Sequence, residues 1–195
     1  MSYPDGASVF HVNDDISVFP IRAATIPPFL HTNLVILRRS GTAVIVDPGG
    51  NDEEALARAL ATVKEKDVFV VITHKHRDHW ESLKQVMSVF PSLTLVASRQ
   101  CLDCIKMDWP KKLVVSMSAP TTMLLGLVLL PTPGHTDGDI SVLDEKYGVC
   151  CVGDHCVGSG SSVLDGECGG DKRVEIQFCF VSFLKDSQCK TCRSI

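Results

Sequence analysis

The chain has 195 residues, 45% of them hydrophobic and 22% charged, which is typical of one soluble globular domain with a sizeable core. Its formal net charge of −4 provides no basic field, so the composition gives no support for binding a nucleic acid backbone. The N-terminal residues lack the basic and apolar segments of a secretory signal, and nine cysteines, an odd number, indicate free thiols in a reducing compartment. We therefore expect a cytoplasmic protein without a membrane span.

Strands dominate the first third of the sequence. Ile16–Arg22, Thr32–Arg39 and Gly41–Asp47 are rich in β-branched residues and are separated by short segments with proline or glycine. This pattern predicts three successive strands.

A helix is predicted after the turn at Asp47–Gly50. Asn51 can cap this helix, because asparagine is among the preferred N-cap residues, and two glutamates follow in the first turn. Its apolar residues recur at the spacing i, i+3, i+4, i+7 of one helix face: Leu56, Ala59, Leu60 and Val63.

A strand, a helix and a second strand are predicted next, at Val68–Ile72, Trp80–Phe90 and Leu93–Ala97. After Pro110 we expect strands only, and we interpret the apolar run Met123–Leu130 as one buried strand, since a bilayer span needs roughly 20 residues. The remaining strands of this part are Lys112–Met117, Ile140–Asp144 and Tyr147–Gly153. This order favours an α+β fold with two packed sheets and outer helices.

A cluster of histidines, "THKHRDH", lies between the strand Val68–Ile72 and the next helix. Alternate positions of an extended loop point the same way, so His74 and His76 can converge on one metal ion. Asp78 and His79, where the loop turns into the helix, can face a second ion. A solvated loop with incidental histidines is the alternative, but H-x-H-x-D-H arises in only about one in a thousand shuffled chains of this composition.

Two further candidate ligands follow later strands. In "PTPGHTDGD", Gly134 allows a tight turn that presents His135 just beyond a strand end. In "CVGDHCVG", Asp154 likewise follows an apolar strand. Together with the histidine cluster, His135 is a third imidazole for the first metal, and Asp154 completes the set.

These motifs resemble those of the metallo-beta-lactamase superfamily, from about Ile16 to Gly160. Asp47 in "VDPGG" is similar to the structural aspartate of that superfamily. The resemblance implies an αβ/βα sandwich, which is an α+β fold, with a binuclear site that usually holds two Zn2+ ions.

The resemblance also implies the role of each ligand. The first metal would be held by His74, His76 and His135. Asp78 and His79 would hold the second metal, and Asp154 would bridge the two. Asp78 would also orient the attacking hydroxide, which makes it the candidate catalytic residue.

The mechanism implied is metal-assisted hydrolysis of a small-molecule ester or thioester, or of a phosphodiester. A water shared by two cations has its pKa lowered toward ~7, so hydroxide is available at neutral pH. The motifs "TPGHTDGD" and "VGDHCVGSGSSVLD" look most like the branch of beta-lactamase-like protein 2 and glyoxalase II-like hydrolases, which adds RNA as a possible substrate. Many relatives have a histidine where Asp139 stands, which can alter the orientation of His135.

The superfamily usually supplies one more histidine to the second metal, but His155 is the last histidine of this sequence. If the backbone at Asp154 is extended, His155 points away from the site. The residue pattern changes near Gly170, so we expect a metallo-beta-lactamase-like domain over residues 1–170, incomplete at its C-terminal end, and a divergent tail over 171–195.

Two alternatives to an active zinc hydrolase follow. The chain can be a metal-binding but catalytically impaired form, since the second site lacks a ligand. It can also be a single-iron oxidoreductase of the persulfide dioxygenase type, with iron held by His74, His76 and His135 and with Asp154 as a further candidate ligand. The oligomeric state is left open by the sequence.

Overall fold

The structure is a computed structural model that describes residues 9–25, 29–107, 113–116 and 122–156. Within these ranges the fold is α+β, with two β-sheets and three α-helices. The predicted boundary at residue 170 and the predicted tail over 171–195 lie outside the described residues. No helix in the described part of the chain is long and apolar enough to cross a membrane.

The larger sheet contains seven strands that are neighbours in chain order. They are β1 (Phe10–Asn13), β2 (Ile16–Arg22), β3 (His31–Arg39), β4 (Thr42–Val46), β5 (Asp67–Val71), β6 (Thr94–Ser98) and β7 (Leu113–Ser116). The pairs from β1 to β4 are antiparallel, whereas β5 is parallel to both β4 and β6. Parallel neighbours need a crossover connection, and α1 (Glu53–Ala61) and α2 (Leu83–Val89) lie in those two connections. The five strands predicted up to residue 97 are confirmed within one or two residues, whereas β1 was not predicted.

The second sheet has four antiparallel strands in the order β11, β10, β9, β8. They are β8 (Thr122–Leu124), β9 (Leu127–Pro131), β10 (Ile140–Asp144) and β11 (Val149–Cys151). The single buried strand predicted over Met123–Leu130 is therefore wrong, because the chain reverses at Leu125 and Gly126. Both turn residues have positive φ, 54° and 79°, as a two-residue hairpin turn requires, and Met123 beside the turn is exposed.

Helix α1 begins one residue later than predicted. Its N-cap is Asp52, whose carboxylate accepts a hydrogen bond of 2.9 Å from the Ala55 N–H. Asn51 lies one residue before this cap, and its N–H donates to the carbonyl of Arg22 at 2.7 Å. The predicted apolar stripe is confirmed: Leu56, Ala59, Leu60 and Val63 are all buried.

Alanine substitutions at Asp52 and Asn51 test which of the two residues caps α1. We expect Asp52→Ala to lower the free energy of unfolding by about 1 kcal/mol, because the Ala55 N–H loses its acceptor. Asn51→Ala should have a smaller effect, since the bond made by its backbone N–H is retained. Urea denaturation of both variants measures the difference, and equal losses would contradict the assignment of the cap.

Helix α2 is shorter than the predicted Trp80–Phe90 because the preceding turns bond elsewhere. The carbonyl of Asp78 accepts from the Gly50 N–H at 3.2 Å, and the Ser82 N–H donates to the carbonyl of Pro48 at 3.1 Å. An α-helix that begins at Trp80 would need the Leu83 N–H to bond to the His79 carbonyl. This N–H donates instead to the Trp80 carbonyl at 2.9 Å, and Arg77–His79 forms a 3₁₀ turn.

A third helix, α3 (Arg99–Cys104), was not predicted. It begins at Ser98, whose hydroxyl oxygen accepts from the Cys101 N–H at 3.1 Å. With six residues it is too short for a reliable periodicity signal.

The described chain divides into two compact units. The first contains the described residues up to Ile72 together with His76–Val96, and fully buried side chains such as Ile45 lie in its core. The second contains Thr73–Lys75, Ala97–Met107 and the described residues from position 115 onward, with the core made largely by β9 and β10.

Candidate metal centre

Three side chains of the second unit come together at the ends of different elements. The Asp154 Oδ2 atom lies 3.7 Å from His135 Nε2 and 4.0 Å from His74 Nε2. The two imidazole rings meet edge to face, with centroids 4.9 Å apart. His76, two residues further along the loop, offers a fourth donor, and the four ligand atoms all lie within 4.8 Å of one another.

The local chain explains this convergence. His74 follows β5, His135 lies between β9 and β10, and Asp154 is in the 3₁₀ turn Gly153–His155 after β11. Gly153 has φ of 56°, and a Cβ atom added there would lie 2.7 Å from Thr73 Oγ1. A glycine is therefore needed where the turn that carries Asp154 passes close to the loop that carries His74.

The four donors fit a divalent transition metal. Imidazole nitrogens with a carboxylate oxygen are a donor set used by zinc and by iron. Ligand bonds of about 2.1 Å in a tetrahedral site put neighbouring donors about 3.4 Å apart, close to the 3.7 Å and 4.0 Å observed. The Thr73 hydroxyl is 3.0 Å from His74 Nδ1, which leaves Nε2 directed toward Asp154 as a ligand atom.

Asp78 and His79, the predicted ligands of the second metal, lie in the first unit and are not among the four converging donors. His79 is buried, and its Nδ1 atom is 2.9 Å from the carboxylate of Asp47. Its Nε2 atom is 3.9 Å from Asp78 Oδ2. A carboxylate on one ring nitrogen fixes the ring and leaves the other nitrogen for an ion, which is an arrangement suited to a metal ligand.

The backbone at Asp154 is not extended, since Gly153–His155 forms a 3₁₀ turn. His155 is buried within the second unit, where its Nε2 atom forms a hydrogen bond with the backbone carbonyl of Thr132. The same atom is 3.5 Å from Asp139 Oδ2. His155 thus contacts Thr132 and Asp139 and is not one of the four converging donors.

Asp139 is buried next to the turn of His135. Its carboxylate accepts hydrogen bonds from the Thr136 N–H, at 2.6 Å, and from the Thr136 hydroxyl. Burial nevertheless raises the pKa of Asp139 to about 6, against the opposing effect of these bonds and of His135. Burial also lowers the pKa of His155 from its ordinary value. No sequence motif indicated the contact between Asp139 and His155, because these two residues are separated along the chain.

The raised pKa of Asp139 predicts a pH dependence of stability in the metal-free protein. Between pH 4 and pH 6 the folded chain keeps a proton on Asp139, whereas the unfolded chain, with an ordinary pKa of 3.8, has released it. The free energy of unfolding therefore falls as pH rises through this window, by at most about 2 kcal/mol from pH 4.5 to pH 7.

The matched variant is Asp139→Asn, which has no titrating group at this position. Urea denaturation of both metal-free proteins at pH 4.5 and pH 7 gives the difference between them. We expect the advantage of the native chain over the variant to shrink as pH rises. A difference in free energy of unfolding that stays constant with pH would contradict the raised pKa of Asp139. The lowered pKa of His155 should make both proteins more stable as pH rises, so its effect cancels in this difference.

Comparison with known proteins supports the fold and the motif region. The family model described as the metallo-beta-lactamase superfamily matches residues 27–97. TMB-1 has a TM-score of 0.73 at 19% identity, with 94% of this chain and 86% of that chain covered. A metallo-beta-lactamase from Hirschia baltica has a TM-score of 0.72 at 20% identity, with 93% and 87% covered. The protein TTHA1623, solved in a di-iron-bound form, has a TM-score of 0.62 at 20% identity, with 85% of each chain covered.

At these identities the structural likeness is one of fold, and it confirms the predicted α+β class and metallo-beta-lactamase architecture. The family match covers β3 to β5, the histidine loop and α2. The chain therefore has the metallo-beta-lactamase fold, and its residues 27–97 match the model of that superfamily.

Proposed function

We propose that this chain is a metal-dependent hydrolase of a small-molecule ester, thioester or phosphodiester. The observation that carries the proposal is the convergence of three imidazoles and one carboxylate within 4.8 Å. Among the described residues these four form a compact donor set, and two of its three histidines, His74 and His135, are buried. Burial excludes most competing water from the ligands, so an ion is bound more firmly than on an open surface.

A divalent ion in this site would supply a Lewis acid and lower the pKa of a coordinated water toward ~7. The protein's part is to place the donors and to orient the nucleophile. We assign this orienting role to Asp78, because its motif position is that of the superfamily's catalytic carboxylate. His79, fixed by Asp47 at 2.9 Å, is proposed with Asp78 as the binding pair for a second ion.

A single-metal centre is the second candidate, and one observation favours it. The four converging donors, His74, His76, His135 and Asp154, are the subset that a single iron would need, and Asp78 and His79 are not among them. TTHA1623, which has a similar fold, was solved in a di-iron-bound form, and this supports iron as a candidate metal. An oxidoreductase of the persulfide dioxygenase type would use the single-iron arrangement.

Elemental analysis of the purified chain, combined with turnover of a p-nitrophenyl ester and of bis(p-nitrophenyl) phosphate, separates the candidates. Two zinc ions per chain with turnover support the binuclear hydrolase. One iron per chain without ester turnover supports the oxidoreductase. Metal bound without turnover, even in excess metal, supports a catalytically impaired form, and no bound metal contradicts all three.

The substrate class needs its own test. A small-molecule ester or thioester is our first choice, since the net charge of −4 does not favour RNA. Cleavage of single-stranded RNA by the native chain, abolished in His76→Ala, would support RNA as the substrate. Cleavage that survives this substitution would indicate a contaminating nuclease.

A further inference from the structure

An ion pair connects the two histidine-bearing loops of the second unit. The Lys75 Nζ atom is 2.7 Å from Asp137 Oδ1. Lys75 lies between two candidate ligands in sequence, and Asp137 follows His135 by two residues. The Lys75 side chain is only 8% exposed, whereas that of Asp137 is 48% exposed. A lysine is seldom this buried without a partner, so the position of its ammonium group depends on the carboxylate.

Other hydrogen bonds fix the two loops next to this ion pair. The Ile140 N–H donates to the carbonyl of Thr73 at 2.9 Å. The Ser98 hydroxyl donates to the carbonyl of Gly138 at 2.6 Å, and a Cβ atom on Gly138 would lie only 2.7 Å from Ser98 Oγ. The ion pair of Lys75 and Asp137 adds a side-chain connection between the same two loops, next to the histidines.

We propose that Lys75 and Asp137 are positioning residues that set the distance between His74 and His135. The proposal rests on the metal-dependent function above, but it concerns residues that are not ligands themselves. Neither residue is among the four converging donors, and a protonated lysine has no lone pair for a metal. Groups that orient metal ligands typically change metal affinity by about 10- to 100-fold when they are removed.

A positioning role for Lys75 and Asp137 predicts an effect on metal binding, whereas an ordinary surface salt bridge would affect only stability. Because Asp137 is half exposed, the pair should contribute little to global stability. Its effect should instead appear in the affinity for the ion and in the geometry of coordination. The exposed pair of Arg58 and Glu54, at 2.5 Å on α1, serves as a control for the loss of an ion pair outside the histidine loops.

The experiment measures zinc affinity by competition with a chromophoric chelator, and the visible spectrum of the cobalt-substituted protein. The test variants are Lys75→Met, Asp137→Asn and the double variant, with Lys75→Arg as the conservative change and Arg58→Met as the control. We expect each single loss to weaken zinc binding by about 10- to 100-fold. The double variant should be little worse than either single one, Lys75→Arg should retain most of the affinity, and Arg58→Met should match the native chain.

The cobalt spectrum should change in Lys75→Met and Asp137→Asn, because the ligand geometry is altered, and stay native in Arg58→Met. Native affinity and a native spectrum in both test variants would overturn the inference while leaving the proposed function standing, as would a fall in melting temperature alone. A native chain that binds neither ion would overturn both. If Lys75→Met fails to fold, Asp137→Asn alone decides the result. Asp137 is half exposed, and asparagine has the same shape as aspartate but no charge, so this variant should fold.

Discussion

Replacing His135 with alanine is expected to weaken zinc or iron binding by about 100- to 1,000-fold. A structural zinc site with four protein ligands is typically worth about 10–16 kcal/mol, so each ligand accounts for roughly a quarter of that free energy. The expected loss of about 3–4 kcal/mol corresponds to this range of affinity. His135 is 1% exposed and its Nε2 atom faces Asp154 at 3.7 Å, so no other described side chain can readily take its place.

Thermal denaturation with and without excess metal gives a second measurement. A ligand that binds only the folded state stabilises it in proportion to the logarithm of its concentration over the dissociation constant. The native chain should therefore be stabilised by added metal, and His135→Ala much less. His11→Ala is the control, because His11 lies on β1 and forms a hydrogen bond with Ser17. Equal metal-induced stabilisation of the two variants would contradict the role of His135.

Gly49→Ala is expected to lower the free energy of unfolding by about 3 kcal/mol or more. A Cβ atom at this position would lie 1.6 Å from the carbonyl oxygen of Asp78 and 2.8 Å from the Cα atom of His79. These are backbone atoms, so no side-chain rotation can relieve the overlap, and the whole turn must move. Any such movement also displaces Asp78 and His79, so the variant should lose whatever function these two residues have.

A second glycine provides the control for this substitution. Gly41 has φ of 80°, but a Cβ atom there would meet nothing within 4 Å. Gly41→Ala should therefore cost only the left-handed backbone strain, about 1 kcal/mol. Urea denaturation of the two variants measures both values. A loss at Gly49 no larger than at Gly41 would show that the turn adapts without strain.

The regular elements were predictable where the local residue pattern agreed with the tertiary environment. Strand β2 has the predicted bounds, Ile16–Arg22, because its β-branched residues suit a buried strand on both faces. The prediction failed where a distant backbone group competed for a hydrogen bond. At the start of α2, Ser82 bonds to Pro48 instead of to the preceding turn, and no helical periodicity can reveal a partner so far along the chain.

The prediction of a single strand over Met123–Leu130 was wrong because it rested on hydrophobicity alone. Met123–Leu130 has the composition of a buried strand, yet Leu125 and Gly126 both adopt positive φ and form a hairpin turn. An apolar run contains no information about where a chain reverses unless the turn residues are distinctive, and Leu-Gly is a weak turn signal beside Asn-Gly.

By itself the sequence determined the chemical types available to this protein: imidazoles and carboxylates at spacings that place them at strand ends, within a metallo-beta-lactamase motif. This was possible because metal ligation depends on a few side chains in short segments, whose order along the chain persists in the fold. Only the tertiary structure decided which of these groups meet, with His74, His76, His135 and Asp154 in one donor set and His155 in contact with Thr132 and Asp139. It also decided that Lys75 pairs with Asp137 across 62 positions of sequence, because contacts between distant segments depend on how β-strands and loops pack and leave no local pattern to read.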